Sequence, residues 1–310
     1  MIIVTGVTAR VPAKLNLQLA VGPPRADGYH DLVTVFHAVS LFDEVTVEPA
    51  GRDAVTVAGE GAGQVPHDGD NLALRAVKAL RAKIRGGGRT AGVRVTISKR
   101  IPVAAGLAGG SADAAAALVA CNELWAAGLT PQQLSEIAAT IGSDVAFALL
   151  GGTAVGRGRG ERLTPALAPA TQYHWVLAFA ESQLSTPKVY AALDRLRASP
   201  AGRHQADLDA TLMSALRSGD AVRLGRALSN DLQPAALSLL PSLRKTLAAG
   251  LELGALGALV AGSGPTCVFL APNAERALEL AVSLSGAGVC RSVARVTGPV
   301  PGAAVVVSAG

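Results

Sequence analysis

The chain is poor in aromatic rings, sulfur and charge. Only ten of its 310 residues are Phe, Trp or Tyr. Bulky rings cannot fill its interior, so Ala, Val and Leu must do so. Charged residues make up 16%, against about 25% in an average soluble chain, while apolar residues reach 50%. This balance excludes intrinsic disorder, because ample aliphatic surface offsets the entropy of ordering the chain. The three cysteines, Cys121, Cys267 and Cys290, are far apart and form no CxxC. They suit neither a disulfide framework nor a zinc site, and a reducing compartment is their natural home. No run of 18 residues is free of charges and breakers, so a membrane-spanning helix is not expected. Arg10, Lys14 and Asn16 interrupt the segment where a signal peptide would need its apolar stretch. The expectation is a soluble cytoplasmic globule, a monomer or weak homodimer, with neither membrane nor nucleic acid as partner.

The net charge of +5 is unevenly spread. Between Asp70 and Asp113 there is no acidic residue, yet Arg75, Lys78, Arg81, Lys83, Arg85, Arg89, Arg94, Lys99 and Arg100 fall there. Such a block can attract phosphorylated small molecules or polyanions, or it can be an ordinary solvated face. It contains no aromatic residue on which bases could stack, which disfavours nucleic acid. An RNA-binding module without catalysis is the alternative in another functional class.

Period-two alternation at Val7, Ala9, Val11, then at Leu15, Leu17, Leu19, Val21, predicts strands with one buried face. The pattern restarts at Val33 to Leu41 after a turn at Asp27-Gly28, and further short strands are expected at Val45–Val47 and Val55–Val57. Residues 71–85 switch to helical spacing, with Asp70 as N-cap and Gly86-Gly87-Gly88 as terminator. A strand follows at Val93 to Ile97, then an alanine-rich helix from Ser111. Thr130-Pro131-Gln132-Gln133 opens another helix with a capping box and a proline at the first position. Meanders come first and helices follow in groups, so the class is α+β rather than a doubly wound sheet. The Gly/Arg-rich stretch 151–160 marks the division into residues 1–157 and 158–310.

The most informative segment is Pro102-Val103-Ala104-Ala105-Gly106-Leu107-Ala108-Gly109-Gly110-Ser111-Ala112-Asp113. Small residues leave its backbone N–H groups open to a bulky anion, and the following helix points its positive end at the same place. Ser111 could cap that helix, bind phosphate or help hold magnesium. No GK[ST] follows, so this is not a Walker loop. In Pro12-Ala13-Lys14-Leu15-Asn16-Leu17, alternation puts Lys14, Asn16 and Gln18 opposite the core leucines, a face that is ordinarily just wet. Gly142-Ser143-Asp144-Val145 places a lone carboxylate among apolar residues, either as a cap or as a reactive group. If Lys14 and Asp144 met beside the loop, they would suit phosphoryl transfer to a hydroxyl.

Taken together, the strand Pro12–Leu17, the loop Pro102–Ala115 and Gly262-Ser263-Gly264-Pro265-Thr266 resemble the three motifs of the GHMP kinase superfamily, the group of galactokinase, homoserine kinase and mevalonate kinase. Asp27-Gly28-Tyr29-His30 and Gly142-Ser143-Asp144-Val145 are similar to the branch whose acceptor is a cytidine diphosphate-linked sugar alcohol. The resemblance covers nearly the whole length. It implies two lobes, a ribosomal-S5-like N-terminal half and a ferredoxin-like C-terminal half, with the active site between them. It also implies ATP as phosphoryl donor, Mg2+ as its companion, and a 2-hydroxyl on the acceptor. By the same resemblance Lys14 and Asp144 form the catalytic pair, and Pro102 to Ala112 carry the ATP phosphates with Asn71 near the nucleotide. Tyr29, His30, Asn16, Thr186 and Tyr190 line the acceptor pocket, the two tyrosines enclosing the base, and Ser111 is the candidate magnesium ligand. Ala105, Ala108 and Ala112 stand where the family has Gly, Gly and Ser, and alanine is expected to avoid left-handed angles there. His37 and Trp175 are expected to be packing residues.

Overall fold

The computed structural model describes residues 6–84, 92–167, 169, 171–197 and 205–306. The glycine triplet 86–88, Arg85 and Arg89 lie outside the described residues. The chain starts with two long strands, β1 (Val7–Pro24) and β2 (His30–Ala50), then β3 (Ala54–Gly59), α1 (Leu72–Lys83) and β4 (Gly92–Lys99). Helices α2 (Gly109–Leu124), α3 (Pro131–Ile141) and α4 (Ser143–Leu150) follow, then a hairpin of β5 (Thr153–Gly158) and β6 (Arg162–Pro165). After β7 (Tyr173–Phe179) come α5 (Thr186–Leu196), α6 (Ala210–Ser218) and α7 (Ala221–Ala227). The remainder is β8 (Ser229–Asn230), α8 (Gln233–Leu239), α9 (Ser242–Glu252), β9 (Gly257–Val260), β10 (Cys267–Ala271), α10 (Ala274–Gly286), β11 (Ser292–Gly298) and β12 (Ala304–Val305).

These elements form two sheets. The larger runs β12-β1-β2-β4-β3, with β5 and β6 added beside β2 and the short β8 lying parallel to β1. The smaller runs β11-β7-β10-β9, and all its pairs are antiparallel. With its intervening helices this is the βαββαβ path of ferredoxin-like domains, so the α+β expectation holds. Both strands of the β5–β6 hairpin belong to the larger sheet. The chain therefore changes sheets between Pro165 and Tyr173, later than the division at 157/158 read from the glycines. Val45 and Val47 are not a separate strand but continue β2, because β1 pairs along it from Val7↔Val47 to Pro24↔His30.

The register of β1 against β2 shifts between Pro12 and Ala13 and again between Asn16 and Gln18. A proline cannot donate to the ladder, so a break beside Pro12 is where a bulge costs least, and bulges re-aim side chains. Leu15 and Leu17 enter a core shared with Val35, Trp175, Leu177 and Val268, whereas Leu19 and Val21 join a second cluster with Val189, Ala236 and Phe269. β1 is thus the wall common to both halves.

Helix α2 is buried almost all round, from Ala112 through Leu118. Its alanines let its backbone lie close to the sheet, as a helix apolar on every face must. Its start differs from the sequence reading. Ala108, not Ser111, is the N-cap; it sits at φ 60 and ψ 34 and makes no side-chain cap bond. Alanine does adopt the left-handed region here, and Ala104 does so too at φ 53. Packing of the loop on both sides overrides a local preference of about 1–2 kcal/mol. At α1 the cap is Asn71 rather than Asp70, its Oδ1 accepting from Ala73 N and Leu74 N. The Thr130 capping box is present as the sequence predicts.

Candidate active site

The polar face of β1 is covered, not wet. Lys14, Asn16 and Gln18 are all buried, because the C-terminal half closes over them. Gln18 Nε2 donates to Asp207 O at 2.7 Å and its Oε1 accepts from Asp209 N at 3.0 Å. Lys14 N–H donates to Leu107 O at 3.3 Å, tying the strand to the glycine loop. Its Nζ donates to Asn16 Oδ1 at 2.7 Å. Asn16 Nδ2 donates to Thr34 Oγ1 at 2.8 Å, and Thr34 donates on to Gln18 O at 2.7 Å. This relay fixes the amide orientation of Asn16, and with it the direction of the ammonium. Lys14 Nζ then stands 3.8 Å from Asp144 Oδ2, a carboxylate in the first turn of α4 that remains one-third exposed. The Phe36 ring lies under the ammonium at 5.5 Å.

The third motif closes on the first two. Gly106 has φ +78, and a Cβ on it would meet Ala261 O at 2.1 Å. Gly262 has φ +51, and a Cβ there would stand 3.3 Å from Gly106 O and 3.5 Å from Lys14 Nζ. Asn230 on β8 holds this turn in place, donating from Nδ2 to Val260 O and Gly262 O at 2.7 Å each. Close backbone approach is the reason for glycine at both positions. The loop's outer face borders a cavity of about 230 Å³, which Arg291–Glu60 (2.7 Å) and Gln183–Gln64 (2.5 Å) bridge from the two halves.

At the other end of the cleft, His30 Nε2 lies 2.9 Å from Asp194 Oδ1, and its ring meets Tyr190 at 5.1 Å between centroids. Burial, with Asp144 adding to it, pushes the Tyr190 hydroxyl up to about 12. Tyr29 is half exposed in the β1–β2 turn, and the Arg159 guanidinium lies 4.9 Å over its ring. The structure therefore sets His30 beside Tyr190, while Tyr29 faces Arg159. Thr186 shares a hydrogen bond of 2.7 Å with Ser263, which links α5 to the third motif. Asn71 is buried with both ends of its amide engaged, its Nδ2 donating to Pro66 O. Ser111 lies partly exposed in the first turn of α2. Among the described residues no group of three or more His, Cys, Asp and Glu side chains could hold a metal ion.

Sequence reasoning missed Thr34, Phe36, Asp194, Asn230 and Arg159 as site neighbours. Asp194 had a signal, since it follows Tyr190 by four residues and so shares its helix face; the others lie far in sequence from what they touch. The basic block is not one surface either. Arg81 pairs with Asp53, Arg94 approaches Glu48, and Lys99 is internal. His37 and Trp175 are core residues as expected. Burial takes His37 down to about 3, only partly opposed by hydrogen bonding to the Gly298 backbone.

A lysine–carboxylate pair set over a glycine loop at a helix N-terminus, between an α+β half and a ferredoxin-like half, defines a small-molecule kinase of the GHMP class. The profile of the GHMP kinases N terminal domain matches residues 71–152, and that of the GHMP kinases C terminal matches 212–290. The 4-diphosphocytidyl-2-C-methyl-D-erythritol kinase of Mycolicibacterium smegmatis is 56% identical over 97% of this chain and 92% of its own. That of Thermobifida fusca is 54% identical over 97% and 99%. A crystal structure of 4-(cytidine 5'-diphospho)-2C-methyl-D-erythritol kinase superposes with a TM-score of 0.74 at 34% identity, over 93% of this chain and 98% of that one. A homoserine kinase from Cytophaga hutchinsonii reaches the same TM-score at 20% identity, a likeness of fold alone. The chain belongs to the GHMP kinases and, within them, to the 4-diphosphocytidyl-2-C-methyl-D-erythritol kinases. Kinase activity makes it an ATP-using enzyme. No helix among its described residues is long and apolar enough to cross a membrane.

Proposed function

We propose that the chain transfers the γ-phosphoryl group of ATP to the 2-hydroxyl of 4-diphosphocytidyl-2-C-methyl-D-erythritol, in the non-mevalonate synthesis of isoprenoid precursors. The observation that carries this reading is the 3.8 Å approach of Lys14 Nζ to Asp144 Oδ2 beside the glycine loop. The Asp144 carboxylate accepts the hydroxyl proton as the new O–P bond forms, and the bond from the γ-phosphorus to the bridging oxygen breaks with its electrons leaving on ADP. Lys14, aimed by Asn16, offsets charge on the reacting oxygens. The N–H groups of residues 103–111, with the positive end of α2, hold the phosphates. Asn71 serves the nucleotide indirectly, by starting α1 beside the loop.

Mg2+ fits as a companion of ATP. The Ser111 hydroxyl at the start of α2 would be its protein ligand, and phosphate oxygens would complete its shell. When bound, the ion neutralises charge on the phosphates. His30, held by Asp194, with Tyr190, Tyr29, Asn16 and Thr186, receives the cytidine end of the acceptor, and stacking on an aromatic ring gives about 1–3 kcal/mol per contact. A cytoplasmic setting agrees with Cys121, Cys267 and Cys290 all being free.

The test is ADP release from Mg·ATP with this acceptor, comparing the wild type with Asp144→Asn. Turnover in the wild type and a fall of about 100-fold or more in the variant are expected. Turnover with homoserine or mevalonate instead would overturn the acceptor assignment while keeping the kinase.

A further inference from the structure

The glycine loop is tethered at both ends by one buried ionic cluster. Lys99 closes β4 just before the loop, and its side chain is 1% exposed. Its Nζ donates to Asp43 on β2 and, at 2.9 Å, to Asp113 Oδ2 on α2. Asp43 is fully enclosed, and its Oδ1 accepts the backbone N–H of Arg100 at 2.5 Å and of Ile101 at 2.8 Å. The entry to the loop is therefore fixed to Asp43, its exit to Asp113, and Lys99 joins the two. The ammonium lies directly under the exit, since a Cβ on Gly109 would stand 3.0 Å from Lys99 Nζ.

Such a cluster is a poor source of stability. Desolvating each charge is costly, and mutual attraction only roughly offsets that cost. Two carboxylates meet one ammonium here, and Asp113 Oδ1 has no hydrogen-bond partner among the described residues. Burial and the nearby Asp43 push Asp113 up to about 7 against the pull of Lys99. What the arrangement does supply is fixed geometry, in a segment where Ala104 and Ala108 take left-handed angles.

We propose that Lys99, Asp43 and Asp113 are positioning residues for ATP, a buried clamp that keeps the N–H groups of residues 103–110 preorganised toward the phosphates. This rests on the reading that the loop holds the phosphates. Preorganised donors lower the cost of ordering a loop around its ligand, so the clamp acts on ATP and not on the acceptor.

The experiment is steady-state kinetics on the full chain, with both substrates varied and folding checked by thermal unfolding. Asp113→Ala cuts the exit tether but leaves Lys99 paired with Asp43. It is expected to raise KM for ATP at least tenfold with KM for the acceptor within twofold. Asp113→Asn keeps a carbonyl for Lys99 and is expected to stay within threefold of the wild type. A folded Asp113→Ala enzyme with unchanged KM for ATP, or with both KM values raised alike, would overturn the proposal. Should that variant not fold, Asp43→Asn decides by the same constants, because an amide cannot accept from Lys99 and from two backbone N–H groups together. Failure of both to fold would make the triad a stability element and also overturn it. Gly110→Val tests the underlying reading separately. Among the described residues its Cβ would meet only Leu72, at 3.5 Å, so the fold tolerates it while the added methyls obstruct an anion. If it leaves KM for ATP unchanged, the loop assignment fails; if it raises KM while the triad variants do not, the clamp alone fails.

Discussion

Two buried groups should oppose each other as the protein is acidified. His37 is wholly enclosed against Tyr173 and Trp175, with its Nδ1 2.8 Å from Thr153 Oγ1. Burial lowers its pKa from 6.5 to about 3. Above pH 6.5 it is neutral in both folded and unfolded chains and costs nothing. Below that the unfolded chain takes a proton the folded one refuses, so stability falls by about 1.4 kcal/mol per pH unit toward pH 3. Asp113 moves the other way, from 3.8 to about 7. Its folded form holds a proton that the unfolded form has lost, so its contribution is fully present below 3.8 and is lost as pH rises through 7. Between roughly pH 4.5 and 6 the two slopes cancel. Urea unfolding of the wild type, followed by tryptophan fluorescence, should give no net slope from this pair across that window. Asp113→Asn removes one slope and should lose about 2 kcal/mol between pH 6 and 4.5. Adding His37→Gln to that variant should flatten the curve again. An Asp113→Asn profile that tracks the wild type would refute the reasoning.

Two backbone substitutions probe the loop. Gly106→Ala forces a side chain into the left-handed region and onto Ala261 O, where its Cβ would sit at 2.1 Å. Denaturant unfolding should show a loss above about 2 kcal/mol, the backbone cost of roughly 1–2 kcal/mol plus the clash. Ala108→Gly should do the reverse. It relieves a left-handed alanine worth about 1–2 kcal/mol and returns about 0.4–1 kcal/mol of unfolded-state entropy. Its thermal midpoint should rise by about 2 °C.

Much of the site is legible in the sequence because its signals are local. Alternation in β1, the Thr130 capping box, and small residues ahead of an alanine-rich helix each follow from neighbours a few positions apart. They single out Lys14, the glycine loop and Asp144 with no knowledge of distant contacts. Local signals fail where two choices are equally good. Asp70 and Asn71 can both cap a helix, and only Asn71 has its Oδ1 on Ala73 N and Leu74 N.

The α+β class, the strand that carries Lys14 and the loop suited to phosphate are all written in the order of residues. Which charges are internal is a matter of tertiary packing. Lys99 sits in a block of nine cations that reads as a solvated face, yet Asp43, 56 residues away, takes it into the interior. Packing likewise covers the polar face of β1, through Gln18 and the segment at Asp207–Asp209, some 190 residues on. Periodicity reports which face of an element is apolar. What is laid against the other face depends on the docking of distant elements, and that docking alone turns a row of polar residues into a buried site.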